Sequence, residues 1–209
     1  MTCMTAARTS APADRPQLGL RERKKIKTRE AIREATYALI EEQGYEATTI
    51  EQIAERAEVS PSTVFRYFPT KEDIVLTDEY DPLLLAELRE RPADEPWLES
   101  LRYVLRKAVG FGAHEDPRVT RLRTTLMTEV PAVRSRMMES MSATGDLLAA
   151  AIAERTGRDP ESLEVRVFAM SLIGGLMEAT RHWVKGGFSE DFGDLVDRAL
   201  TVFERGLTS

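Results

Sequence analysis

One cysteine and two histidines in 209 residues leave little from which to build a disulfide framework or a metal centre. Cys3 stands alone in a stretch rich in Ala, Thr, Ser and Pro, so it has no partner within the chain, and a reducing compartment suits it. His114, in the polar run His114-Glu115-Asp116, and His182 lack cysteine neighbours and show no His-Glu-x-x-His spacing. No Gly-x-Ser-x-Gly elbow or Gly-x-x-x-x-Gly-Lys loop occurs, and no spacing places two carboxylates in one pocket. No catalytic residue, metal ligand or cofactor is therefore expected. Ten prolines and twelve glycines are too few for a collagenous or low-complexity chain, while 42% hydrophobic residues are too many for a wholly disordered one. No apolar run approaches the roughly 18 residues of a membrane span, and no apolar block follows N-terminal charges as in a secretory leader. The expectation is a cytoplasmic protein of one large or two small domains that does not enter the membrane.

What the chain does have is charge, unevenly placed. The net charge is −6, yet between Arg21 and Arg33 seven cations face two anions, a local sum of +5 that leaves −11 on the rest. A basic segment on an acidic body suits contact with a polyanion, because basic side chains gain affinity by displacing counterions from nucleic acid. The same run would also serve as a solvated helix face, and charge alone does not choose between the two.

Residues 1–20 are polar and aperiodic, and read as a flexible arm. From Thr28 the apolar positions Ile32, Ala35, Leu39 and Ile40 recur at helical spacing up to Gly44, a natural C-cap. Lys24, Lys25 and Lys27 stand in or just before the first turn of that helix, where the dipole disfavours positive charge by about 0.3–1 kcal/mol each. An external anion would explain the tolerated cost. Thr49 with Gln52 forms a capping box for a second helix to Ala57, with Ile50, Ile53, Ala54 and Ala57 as its inner stripe. Ser60 then caps a third helix with Pro61 at its first position, running to Phe68 before Pro69, and Thr70-Lys71-Glu72-Asp73 opens a fourth. Two short helices joined by a tight turn and preceded by a longer one have the layout of a helix-turn-helix, here about residues 49–68. The first turn of its second helix, Ser60, Pro61, Ser62 and Thr63, is short-chained enough to approach a groove, although such residues also cap helices that bind nothing.

The order and spacing Thr28-Arg29-Glu30-Ala31-Ile32, Gly44-Tyr45, Thr48-Thr49-Ile50, Ile53-Ala54, Val59 through Phe68 and Lys71-Glu72-Asp73 resemble the DNA-binding domain of the tetracycline-repressor (TetR) family. The resemblance covers about residues 21–81 and implies an all-α protein: a three-helix helix-turn-helix domain joined to a larger helical effector-binding and dimerisation domain at 82–209. It implies that Thr49 and Lys71 contact phosphates, that Ser62 and Thr63 approach base edges, and that Tyr67 contacts the backbone. Lys24, Lys25, Thr28, Ser60, Pro61, Phe65 and Arg66 complete the candidate DNA-binding set. Many relatives carry glycine before the threonine and a tyrosine or histidine pair before the final phenylalanine. Ser62 and Arg66-Tyr67 depart from this pattern, and Arg66 could read a guanine or hold a phosphate.

Beyond Pro82, proline and glycine punctuation predicts helices over 97–111, 117–128, 132–155, 160–185 and 192–206, with no strand pattern. The resemblance implies that the last two helices pair across a two-fold axis, with Leu172, Gly174, Gly175, Leu176, Leu195, Ala199 and Phe203 as candidate interface. A homodimer of this kind would read an inverted repeat in double-stranded DNA. Met127, Met137, Met138, Met141, Met170 and Met177 are interleaved with Trp97, Tyr103, Phe111 and Trp183. Any one methionine would equally fill a core, but together this adaptable set suits a pocket for a small apolar effector, with Trp97, Tyr103, Phe111, Met127, Met137, Met141, Met170 and Met177 as its candidate lining. The reading domain and the Asp78-Glu79-Tyr80-Asp81-Pro82 junction are similar to the mycofactocin-regulator branch, which implies an acyl-coenzyme A effector with Arg102, Arg106, Arg121 and Arg123 as candidate phosphate partners. The expected function is a ligand-responsive, dimeric repressor. Two alternatives remain at this level: an effector-independent architectural DNA binder, and a helical enzyme acting on a lipid-like substrate.

Overall fold

The computed structural model describes residues 19–77, 81–112 and 116–206; Cys3 and the N-terminal arm, most of the 78–82 junction, His114 and Glu115 lie outside them, as does the side chain of Phe111. The described residues form ten helices and no strand: α1 (Leu20–Gln43), α2 (Ile50–Arg56), α3 (Pro61–Tyr67), α4 (Lys71–Leu76), α5 (Asp81–Glu90), α6 (Trp97–Gly112), α7 (Pro117–Glu129), α8 (Pro131–Thr156), α9 (Leu163–Lys185) and α10 (Phe192–Arg205). None of them is long and apolar enough to cross a membrane.

The short helices start where their capping chemistry says they should. Thr49 and Gln52 close a reciprocal capping box on α2, and Thr70 and Asp73 close another on α4. Ser60 accepts the Thr63 N–H at the start of α3, with Pro61 filling the first helical position. Between α2 and α3 the chain reverses through Glu58, held at φ 54°. The Val59 N–H then reaches back to the Ala54 carbonyl at 2.9 Å.

Two helix starts and one whole helix differ from expectation. Helix α1 begins at Leu20, so Lys24, Lys25 and Lys27 stand beyond its first turn, where the macrodipole has faded; the dipole argument for an external anion therefore does not apply to them. Helix α5 was not anticipated, because its Leu-Leu-Leu-Ala run carries little periodicity, yet Leu88 is buried beside Val104 and Ala151. Helix α9 starts at Leu163 rather than Pro160. Asp159 accepts the Glu161 N–H at 2.9 Å and the Ser162 hydroxyl at 2.7 Å, making a turn in which Ser162 becomes the N-cap.

The core is divided. Ile32, Leu39, Ile53, Ala54, Val64, Phe68 and Ile74 pack together beneath α3 and fix its angle against α1, α2 and α4. A second cluster joins Tyr37, Ile40, Tyr45 and Val75 to Leu126 of α7 and Val133 of α8. The first four helices and the body that follows therefore share an apolar seam. The body holds a third cluster around Leu101, Leu172, Val196 and Leu200.

Candidate nucleic-acid interface and effector cavity

Helix α3 turns Val64 into the core and leaves Pro61, Ser62, Phe65 and Arg66 exposed. Ser60 Oγ lies 2.9 Å from both Ser62 Oγ and Thr63 Oγ1, so the hydroxyls of the first turn form one local network. Arg66 stacks its guanidinium over Tyr67 at 5.4 Å. Lys24 and Lys25 are exposed on α1, and the Thr28 hydroxyl donates within the helix to the Lys24 carbonyl at 2.9 Å. Thr49 is exposed at the α2 cap.

Lys71 does more than face outward. Its Nζ donates to the carbonyls of Tyr45 (2.8 Å) and Thr48 (2.9 Å) and lies 4.0 Å from the Tyr45 ring centroid. Two of its three N–H groups thus brace the loop between α1 and α2, leaving one for a phosphate. The Tyr45 hydroxyl donates to Glu72 Oε1 at 2.6 Å. Burial first, and the Glu72 carboxylate second, push the Tyr45 hydroxyl well above the usual phenol range. Burial opposes ionisation of Glu72, but the hydrogen bond from Tyr45, with further ones from its backbone and Thr70 and the charge of Lys71, holds its carboxyl below the ordinary value.

The body also holds α4, both in its first turn and at its last carbonyls. Arg136 of α8 donates through Nε to Asp73 Oδ1 at 2.8 Å. Arg123 of α7 donates to the carbonyls of Val75 (2.8 Å) and Leu76 (3.2 Å), the last of α4. Neither contact was foreseen as part of a site, and no local pattern announces a guanidinium that caps a helix 47 or 48 residues away.

Arg123 also lines a partly open cavity of about 530 Å³ between α6, α7, α9, α10 and the 188–191 loop, well within the range of small-molecule sites. Leu105, Val109, Met127, Leu176, Trp183 and Val196 make its wall apolar, while Arg121, Arg123, Thr124 and Thr180 are polar points on it. Trp183 stacks on Phe192 (4.7 Å), meets Phe188 edge-on (4.9 Å) and donates its indole N–H to the Glu190 carbonyl (2.8 Å). The Arg121 guanidinium lies 5.6 Å over Phe188, itself held at φ 60°. The aromatic wall is thus built by the chain folding back after α9.

Residues 95–208, more than half the chain, match the MftR C-terminal domain, and residues 32–77 match the bacterial regulatory proteins of the tetR family. The chain belongs to the TetR family. TetR-family members are transcriptional regulators rather than enzymes, which sets aside the reading as a helical lipid enzyme. The transcriptional regulator TcmR of Streptomyces glaucescens is 41% identical over 112 residues, a match spanning 51% of this chain and half the length of TcmR. The structure is similar to FadR from Bacillus subtilis in complex with stearoyl-CoA, with a TM-score of 0.60 at 22% identity, covering 88% of this chain and 100% of the other. It is also similar to Thermus thermophilus FadR in complex with lauroyl-CoA, with a TM-score of 0.56 at 24% identity, covering 87% and 95%. These likenesses are of the TetR fold.

Within this TetR body the expected effector residues scatter. Met127 lines the cavity. Trp97 instead packs against two buried clusters, one including Ala149 and Ile152 and the other Leu88, with Arg155 at 6.0 Å, and Tyr103 is exposed beneath Arg91 at 4.1 Å. Met137 and Met141 stand on α8, which is not a wall of the cavity, and Met170 is exposed beside Gly145; Met177, on α9, is half-buried without lining it. Of the five expected methionines only Met127 reaches this cavity, because a cavity is assembled by tertiary packing and not by composition. Of the four candidate arginines, Arg102 and Arg106 are taken by Asp197 of α10, whereas Arg121 and Arg123 do reach the cavity.

The expected interface residues divide likewise. Leu172 and Leu195 are buried in the subunit's own core, Leu176 lines the cavity, Phe203 and half-buried Ala199 lie on α10, and Phe203 packs over Gly175. Gly174 is on the surface. Helix α9 instead exposes Leu163 (73%), Val167 (54%) and Met170 in line with Gly174, and α10 exposes Val202. Apolar spacing alone does not separate the inward faces of these two helices from their outward ones.

Proposed function

We propose that this chain is a ligand-responsive transcriptional repressor in the cytoplasm that binds an inverted-repeat operator as a homodimer and is released by an amphiphilic effector of the acyl-coenzyme A class. The observation that carries the reading is Arg123, whose guanidinium both lines the apolar cavity and caps the last carbonyls of α4. An anionic end of an effector entering the cavity competes for that guanidinium. Helix α4 then loses its polar tie to α7, keeping the apolar packing that Val75 shares with Leu126, and through Lys71 and Glu72 it disturbs the Tyr45–Thr48 loop on which α2 rests. The coupling is reciprocal, so operator binding weakens effector binding by the same factor. The similarity to FadR proteins solved with stearoyl-CoA and lauroyl-CoA supports this effector class.

In the complex α3 lies in the major groove with Ser62, Thr63, Phe65 and Arg66 toward the bases, flanked by Ser60 and Pro61, while Lys24, Lys25, Thr28, Thr49, Tyr67 and Lys71 face phosphates. The dimer forms through the outer faces of α9 and α10, where Leu163, Val167, Met170, Gly174 and Val202 leave an apolar stripe on the surface. An effector-independent architectural binder would have a filled body, and the cavity of about 530 Å³ argues against it. The test is fluorescence anisotropy of a labelled operator titrated with lauroyl-coenzyme A, with coenzyme A and laurate as controls. Release by lauroyl-coenzyme A, with operator affinity falling about 5- to 150-fold, is expected. Operator binding indifferent to all three compounds would remove this effector class.

A further inference from the structure

The reading helix has a narrow chemical complement. Its exposed face consists of two pairs one turn apart, Pro61 with Phe65 and Ser62 with Arg66. None of residues 61–67 is Asn, Gln, Asp or Glu. A bidentate contact to adenine takes an amide side chain, and the cytosine amino group takes an acid, so this face offers neither. The Ser62 and Thr63 hydroxyls are both within 2.9 Å of Ser60 Oγ, gathered around the helix cap. What projects beyond them is one guanidinium, Arg66, and one phenyl ring, Phe65.

Phe65 is 51% exposed and belongs to none of the buried clusters, unlike Phe68 three residues on, which is fully buried. A large apolar side chain held in water at the centre of a polar-bordered face marks a contact surface. In the major groove the one apolar group that distinguishes a base pair is the thymine C5-methyl. We infer that Phe65 is a specificity-determining residue that reads thymine, its ring covering one or two C5-methyl groups in each half-site. A·T pairs are then recognised from the thymine side, because the helix carries no side chain that recognises adenine bidentately. This assignment rests on the proposal that α3 enters the major groove.

The experiment exploits uracil, which differs from thymine only by that methyl. The full chain is used to enrich an operator from a pool of random duplexes, and each thymine of the enriched sequence is then replaced singly by uracil. Moving one methyl group from water into an apolar contact is worth about fourfold in affinity. Wild-type protein should therefore lose about fourfold at one or two thymines per half-site. Phe65→Ala should bind the thymine operator more weakly and treat thymine and uracil alike at those positions, while Phe65→Leu should keep part of the discrimination. Unchanged melting of both variants separates the effect from misfolding. An enriched operator on which wild-type protein ignores uracil at every position overturns the assignment, as does a Phe65→Ala protein that still discriminates. Failure to enrich any duplex overturns the operator reading itself, a distinct outcome.

Discussion

Lys71→Ala tests whether a residue expected to touch DNA also holds the reading head together. The substitution removes the two hydrogen bonds from the ammonium to the Tyr45 and Thr48 carbonyls and its contact with the Tyr45 ring. A hydrogen bond to a charged group contributes about 1.5–3 kcal/mol. Because both bonds share one half-buried ammonium, the combined loss should be about 2–3 kcal/mol rather than twice the single value. In a chain of this size each kcal/mol moves the melting temperature by about 2–4 °C, so the variant should melt about 5–10 °C lower at equal protein concentration. The third N–H gives a separate readout. If it meets a phosphate, the slope of log affinity against log salt concentration should fall by about one, and all operators should weaken alike. An unchanged melting temperature would refute the bracing role. A lower affinity with an unchanged salt slope would show that Lys71 acts on DNA only through the loop.

Adjacent glycines on α9 should respond with opposite sign. A Cβ on Gly174 meets nothing within 4 Å, so Gly174→Ala should raise the stability of the subunit fold by about 0.5–1 kcal/mol in urea unfolding; Gly175→Ala would place its Cβ 2.6 Å from the Phe203 ring and should cost about 1–3 kcal/mol. Arg123→Met should leave the operator recognisable but bring the ratio of operator affinities without and with lauroyl-coenzyme A toward one, and an undiminished ratio would remove Arg123 from the coupling. Glu95 carries a carboxyl held down to about 2 by hydrogen bonds from Arg91 first and Ser100 second. A lowered value in the folded chain means a contribution fully present above the ordinary 4.5 and lost as pH falls from there toward about 2, so thermal melts of wild type and Glu95→Gln should converge over that window.

The parts of the fold written in side-chain type were legible in the sequence. Thr49 with Gln52, Ser60 with Pro61 and Thr70 with Asp73 announce their helix starts because caps act over three residues. The placement of Phe65 and Arg66 outward and Val64 inward follows from the same local register. Distance defeats this kind of reading. Arg123 and Arg136 reach α4 across more than forty residues, and Trp183, Phe188 and Phe192 become one wall only because the chain reverses at Gly187. Periodicity also has no sign. Leu172 and Leu195 obey the same helical spacing as Leu163 and Val167, and only packing tells which stripe is core and which meets solvent.

The apolar seam between head and body limits how TetR proteins of this kind can be recombined. Tyr37, Ile40 and Val75 are buried against Leu126 and Val133, so a fragment ending after α4 would carry a wetted apolar flank. Grafting a foreign head onto this body exchanges half of that seam while leaving the other half in place. A hybrid would keep this buried seam intact only if α1 and α4 travelled with the matching surfaces of α7 and α8. The natural unit of exchange is therefore the joint, not the domain.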